Sequence, residues 1–175
     1  YISDGGVQEE ISQGAGRLAG HLGLDNLVMF YDSNDIQLST ETSAVTSENV
    51  AQKYLAWGWK VIEVNGNDAD AIRNALKEAK AENSKPTLII GKTIMGKGVR
   101  KADGSSFENQ CATHGMPLSE CGASFDESIR NLGGDPANAF VIFEETKALY
   151  AKRAAELEKI VAEKYAAKEA WAKAN

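Results

Sequence analysis

Two short stretches of the chain carry residue types that could do chemistry. Asp4-Gly5-Gly6 offers glycines that let a ligand approach the backbone closely. The unpaired N–H groups opening a helix after such a turn form an anion site suited to phosphate. A carboxylate in the same turn repels a bare phosphate but welcomes one bridged by a divalent cation. Mg²⁺ takes about six oxygen ligands and usually combines one or two carboxylates with phosphate oxygens. Asp-Gly is also an ordinary turn, and alone it means no more than that. The second stretch is Tyr31-Asp32-Ser33-Asn34-Asp35-Ile36, with Asn34 placed 30 positions after Asp4. The Asn34 amide oxygen and the Ile36 backbone carbonyl are hard donors that suit Mg²⁺ or Ca²⁺. In isolation Asn34 would simply support a turn.

The two stretches act together only if the fold brings them to one rim, so the elements between them decide the matter. Tyr1 and Ile2 read as the end of a strand, and residues 4–6 as a turn. Val7, Ile11, Ala15, Leu18, Ala19 and Leu22 then recur at helical spacing, with Gln8, Glu9 and Glu10 in the first turn. Residues 27–31, Leu-Val-Met-Phe-Tyr, form a short continuous apolar run, the mark of a buried parallel strand. Ser47 opens a helix carrying Val50, Tyr54, Leu55 and Trp57, and residues 59–64 supply the next strand. A further helix runs from the N-cap Asp68 through Ile72, Ala75, Leu76 and Ala79, after which Pro86 introduces a strand at 87–90.

This alternation predicts an α/β fold, doubly wound, with a mostly parallel sheet and helices on both faces. Both stretches then lie at the carboxyl edge of the sheet, where such sheets bind ligands. Residues 91–134 show no clear periodicity apart from a helix at 125–132. Residues 140–175 read as one long helix with Tyr150, Ala154, Leu157, Val161 and Tyr165 on one stripe. That helix is either a connector to a further domain or a packed terminal helix.

The 175 residues include 19 Lys+Arg and 25 Asp+Glu, a formal net charge of −6. That acidity, with no basic stripe, argues against nucleic acid and anionic membrane surfaces as partners. No apolar run approaches the roughly 18 to 20 residues of a spanning helix. Cys111 and Cys121, ten positions apart, match neither a zinc spacing nor a disulfide framework, and a reducing cytoplasm is the expected setting. The chain opens directly on Tyr1 and reads as a piece of a longer one.

Several further blocks follow Asp4-Gly5 in a fixed order: Glu9 with Ile11-Ser12, Leu18-Ala19-Gly20, Tyr31-Asp32 with Asn34, and Ala56-Trp57-Gly58-Trp59. They continue as Asn65-Gly66-Asn67-Asp68, Lys92-Thr93-Ile94-Met95-Gly96-Lys97-Gly98 and Thr113-His114-Gly115-Met116-Pro117-Leu118. Together they resemble the transketolases, a thiamine-diphosphate-dependent family. The resemblance implies thiamine diphosphate and Mg²⁺ (or Ca²⁺) as cofactors. It places the metal on Asp4, Asn34 and the Ile36 carbonyl, and the cofactor's diphosphate at the Gly5 N–H. His114 matches a histidine that contacts the diphosphate and faces the substrate, where it assists proton transfer. Leu38 and Met95 match apolar positions against the cofactor's rings. Glu9 matches an acid in a network linking paired sites, and Lys92 lies in a loop that approaches the site. Ser3 departs from the family's usual Gly before the Asp.

The implied activity moves a two-carbon ketol unit from a ketose phosphate to an aldose phosphate, in the pentose phosphate pathway. The implied assembly is a homodimer through the cofactor site. Residues 1–118 are then part of a diphosphate-binding domain, and 119–175 a loop and long helix leading toward a second domain. On this reading the chain alone is inactive. A deoxyxylulose-phosphate synthase or a 2-oxo-acid dehydrogenase α subunit shares the Asp-Gly to Asn pattern, but the blocks at Lys92 and Thr113 argue against both. A non-enzymatic α/β interaction module is the alternative from another class. Read without the resemblance, His114 is a loop histidine, Glu9 a first-turn helix acid, His21 a dipole-matched residue near a helix end, and Trp57 and Trp59 core.

Overall fold

A computed structural model describes every residue from Tyr1 to Asn175 except Ser39. The described chain divides into two compact units, Tyr1–Pro136 and Ala137–Asn175.

The first unit is built on the apolar runs. Strands β1 (Ile2–Ser3), β2 (Val28–Ser33), β5 (Lys60–Asn65) and β6 (Thr87–Lys92) form one parallel sheet in the order β1-β2-β6-β5. Alternate side chains of a strand face opposite sides, and the two halves of each run are used differently. Met29, Tyr31, Val61, Leu88 and Ile90 meet Val7, Ala19, Tyr54 and Trp59 on one face. Val28, Phe30, Ile62, Val64 and Ile89 meet Ala75 and Ala79 on the other. Val7, Ala19 and Tyr54 belong to helices α1 (Asp4–Gln8), α2 (Glu10–Leu22) and α3 (Val50–Ala56) on the first face, Trp59 directly precedes β5, and Ala75 and Ala79 belong to α4 (Ala69–Ala81) on the second. The doubly wound, mostly parallel arrangement expected from the sequence is the one observed.

Local chemistry sets the ends. The Asp68 carboxylate accepts from the N–H groups of Asp70 and Ala71, so α4 starts where expected. Helix α2 closes on Gly23 at φ +60°, with Leu24 N–H returning to the Ala19 carbonyl at 3.1 Å. Helix α3 starts three residues later than Ser47 because Asn49 is its cap, its side chain accepting from Gln52 N–H at 2.9 Å. The expected turn at residues 4–6 is instead the first turn of α1. Glu9 is extended, at φ −64° and ψ 134°, and separates α1 from α2. Side chains add bonds to the carbonyls of α1. Gln8 Nε2 donates to the Asp4 carbonyl at 2.9 Å, and Gln13 Nε2 to the Gln8 carbonyl at 2.9 Å.

Two features were not expected. Residues Ile36–Gln37 (β3) and Thr40–Glu41 (β4) pair antiparallel beyond the end of β2. The segment after β6 is also ordered by long-range bonds rather than periodicity. Val99 and Phe107 are buried, Phe107 N–H donates to the Val99 carbonyl at 2.9 Å, and Ser124 N–H donates to the Arg100 carbonyl at 2.8 Å. Helix α5 (Phe125–Asn131) follows, capped by Ser124, and Asn131 Nδ2 ties back to the Gly98 carbonyl at 2.9 Å.

In the second unit, α6 (Glu144–Ala174) is a single helix of 31 residues, starting four residues after Phe140. None of its residues is buried, and the stripe of Tyr150, Leu157, Val161 and Tyr165 is exposed.

Candidate functional site

Parallel pairing places Ser3 opposite Asp32. The residues that follow β1 and β2 therefore leave the sheet side by side at its carboxyl edge. Asp4 follows Ser3 immediately and is 1% exposed, far too deep for a carboxylate without partners. Both oxygens have one. Oδ1 accepts from the Tyr31 hydroxyl at 2.6 Å, and Oδ2 accepts from the Asn34 backbone N–H at 3.0 Å. Asn34 turns its own Oδ1 onto the Ile36 N–H at 3.0 Å. Asp4, Asn34 and Ile36 thus meet at one rim, as the spacing expectation required.

The peptide between Asn34 and Ile36 is held in an unusual shape. Asp35 has φ +64°, a left-handed conformation that Asp tolerates better than most residues. Its carbonyl accepts from Thr42 N–H at 2.9 Å. Lys92, at the end of β6, donates to Asp35 Oδ1 at 3.1 Å and to Ser33 Oγ at 2.8 Å. Burial, reinforced by the hydrogen bond to Asp4, pushes the Tyr31 phenol well above its ordinary range. Thr93 and Tyr1 both donate to the Asp32 carboxylate beside this rim.

Two concavities flank the cluster. Asn34 and Ile36 line a cavity of about 730 Å³ with Tyr31, Ser33, Thr42 and Lys92. Gly5 and Leu38 line a smaller one of about 370 Å³ with Gln8, Glu9, Glu10 and Gln37. A methyl group on Gly5 would meet nothing within 4 Å, so the backbone there faces open space into which a ligand could come. Gln8 borders both concavities and ties α1 to β3 by donating to Gln37 Oε1 at 2.7 Å.

His114, Leu38 and Met95 belong to an adjoining corner. A methyl on Gly115 would lie 3.7 Å from Leu38 Cδ1, and one on Gly96 would lie 3.2 Å from Thr113 Cγ2. The loops at 95–96 and 113–115 are therefore neighbours, with Leu38 against the second. His114 is half-buried, and its Nδ1 is fully shielded without a protein hydrogen-bond partner. His114 and Met95 do not line the large cavity. Trp59 is core, its indole N–H donating to the Gly16 carbonyl at 2.7 Å, while Glu9 and His21 are exposed.

The sequence did not single out Tyr31 as a polar residue, because it closes an apolar run and reads as core. It also gave no sign that Lys92 reaches Asp35. Gln8 had one legible feature, its place in the first helical turn.

Among the described residues no three His, Cys, Asp or Glu side chains gather closely enough to hold a metal. The donor set at the rim is mixed instead: one carboxylate, one amide oxygen and one peptide carbonyl. All three are hard oxygen donors, and the set leaves positions for phosphate oxygens and water, which fits Mg²⁺ or Ca²⁺.

The family model for "Transketolase, thiamine diphosphate binding domain" matches residues 1–175. The chain is 46% identical over 123 residues to the transketolase of Streptococcus pyogenes serotype M6, covering 70% of this chain and 16% of that protein. It is 37% identical over 164 residues to the dihydroxyacetone synthase of Pichia angusta, covering 93% and 21%. Among solved structures, the Pichia stipitis transketolase in complex with sedoheptulose 7-phosphate superimposes with TM-score 0.81 at 33% identity, over 91% of this chain and 23% of that one. The Leishmania mexicana transketolase gives 0.80 at 35% identity, over 95% and 24%. The chain therefore spans between about a sixth and a quarter of the length of these relatives. No helix among the described residues is long and apolar enough to cross a membrane.

Proposed function

We propose, for a chain that belongs to the family of the transketolase thiamine diphosphate-binding domain, that the rim at Asp4, Gly5, Asn34 and Ile36 anchors the cofactor's diphosphate through Mg²⁺ or Ca²⁺. The observation that carries this reading is the buried Asp4 carboxylate, joined to Asn34 at 3.0 Å beside the open backbone of Gly5. When bound, thiamine diphosphate supplies the carbanion-stabilising chemistry. The residues of this chain hold and orient. Asp4 offers the negative charge, Asn34 and the Ile36 carbonyl offer neutral oxygens, and the Gly5 N–H offers a donor to a phosphate oxygen. Leu38 and Met95 supply apolar surface at the corner where His114 stands. His114 stands half-buried at that corner, and on the family reading it faces the substrate and assists proton transfer.

The activity that follows is transfer of a two-carbon ketol unit from a ketose phosphate to an aldose phosphate, by a cytoplasmic enzyme of the pentose phosphate pathway working as a homodimer. Sugar-phosphate complexes of the Pichia stipitis relative support that substrate class. Family and relatives favour this over the other thiamine enzymes and over a non-enzymatic module. Residues 119–175 are read as a loop and long helix that connect toward a second domain.

The test is Mg²⁺-dependent binding of thiamine diphosphate to the full chain carrying Asp4→Ala or Asn34→Ala. Groups behind a metal's ligands change its affinity by about 10- to 100-fold, so removing a ligand should exceed that. Unchanged affinity in both variants would overturn the assignment.

A further inference from the structure

Asp4 and Ile36 are carried by two elements with little rigidity of their own. Helix α1 is five residues long, far below the roughly 12 to 15 residues at which a helix is stable in isolation, and the extended Glu9 cuts it off from α2. β3 is two residues long and pairs with β4 outside the parallel sheet. The bond from Asn34 N–H to Asp4 Oδ2 ties α1 to the end of β2, but it stops two positions short of Ile36. One side chain closes that gap. Gln8 Nε2 uses both of its hydrogens, giving one to the Asp4 carbonyl at 2.9 Å and the other to Gln37 Oε1 at 2.7 Å. Among the described residues this second bond is the one hydrogen bond joining α1 to β3, and both glutamines are half-buried. Gln8 therefore grips Asp4 on one side and the chain neighbour of Ile36 on the other.

We propose that Gln8 is a positioning residue: through Gln37 it sets the spacing between Asp4 and Ile36 before any ion binds, and so raises the affinity of the rim for its ion. The inference rests on the metal reading given above. A site assembled in advance loses less of its binding free energy to ordering its ligands. Gln13 offers a contrast, because it donates to the Gln8 carbonyl at 2.9 Å and braces the joint between α1 and α2 without reaching β3. Gln8 and Gln37 also border the smaller concavity, so direct contact with a ligand is the competing role for both. Two glutamines that each touched a ligand would act independently. A tie works only as a pair.

The experiment compares the full chain with Gln8→Met, Gln37→Met, the two together, Gln13→Met and Asp4→Ala. Amide hydrogen exchange without any ion reads the rim directly, through the bonded N–H groups of Asn34 and Ile36. Both should exchange about 3- to 10-fold faster in Gln8→Met and in Gln37→Met, the effect of one neutral hydrogen bond. The fully buried Ile89, on an inner strand of the sheet, should be unaffected. Unchanged exchange at the rim, or equal acceleration at Ile89, overturns the proposal. Calorimetric titration of Mg²⁺ at a fixed, saturating concentration of thiamine diphosphate then reads affinity. Each single variant of the pair should lose about 3- to 10-fold, the double variant no more than the larger single loss, and Gln13→Met nothing. Losses that multiply in the double variant, a loss confined to Gln8→Met, or an equal loss in Gln13→Met overturn the proposal, while abolished binding in Asp4→Ala leaves the metal reading standing. Full retention in Asp4→Ala overturns the metal reading and this proposal with it.

Discussion

Two glycines in α2 should respond to the same substitution with opposite signs. Replacing an exposed helical Gly by Ala stabilises by up to about 1 kcal/mol, because Gly loses more backbone freedom on folding. Gly14 is half-buried, but a methyl there would find nothing within 4 Å, so the same gain applies. Gly20 differs. Its methyl would stand 1.8 Å from the Trp57 carbonyl oxygen and 3.1 Å from Trp59 Cδ1. The oxygen is backbone in the corner between α3 and β5, so relief requires α2 and that corner to separate by more than about an ångström. Overpacking of a well-filled core costs about 1–3 kcal/mol, and a backbone partner places this case at the upper end. Against the helical gain of about 1 kcal/mol, Gly20→Ala should lose about 2 kcal/mol net. With a urea m-value of about 2 kcal/mol/M, the midpoint should rise by about 0.5 M in Gly14→Ala and fall by about 1 M in Gly20→Ala. Urea titration followed by far-UV circular dichroism measures both. Midpoints that move together in either direction would refute the close approach of α2 to the Trp57 corner.

Two other outcomes are expected. Asp35→Gly relieves a left-handed backbone but loses the exposed ion pair to Lys92, worth under about 1 kcal/mol, so its thermal midpoint should change little. Asp35→Val keeps the strain, loses the pair and should cost about 2 kcal/mol; equal stability of the two variants in thermal melts would contradict this. Burial raises the Tyr54 phenol above its ordinary value. A group whose folded pKa lies above the unfolded one, about 10 for Tyr, contributes stability that is complete below that pH and is lost as pH rises through the folded pKa. Tyr54→Phe should therefore be close to neutral in stability at pH 7, and should flatten the fall in unfolding free energy above pH 10. An alkaline limb as steep as that of the unsubstituted chain would count against it.

What could be read in advance divides by the range of the forces involved. The four main strands and α2 to α4 follow from apolar periodicity, which is local. The meeting of Asp4 with Asn34 was legible because two strand ends, 30 residues apart in the chain, must share one edge in a parallel sheet. Element starts were displaced where a cap decided them, as with Asn49 over Ser47. Gly5 and Gly6 look like a turn, and only the side chains of Gln8 and Gln13, by taking up carbonyls, show why a helical turn forms there. The β3–β4 hairpin is too short to leave a pattern. The bonds that order the segment after β6 join residues such as Gly98 and Asn131, or Arg100 and Ser124, whose pairing no window of sequence displays. Tyr31 was hidden for another reason: a phenol spends most of its surface on apolar neighbours, and its one polar atom bonds the Asp4 carboxylate.

β1 and β2 pair in parallel, with Ser3 opposite Asp32. Asp4 hangs directly from β1, while Asn34 and Ile36 hang from the end of β2. An ion gripped by all three would act as a clasp across that seam, so that release of the ion and fraying of the seam would be coupled events. Cation concentration would then govern how often this seam parts, by mass action.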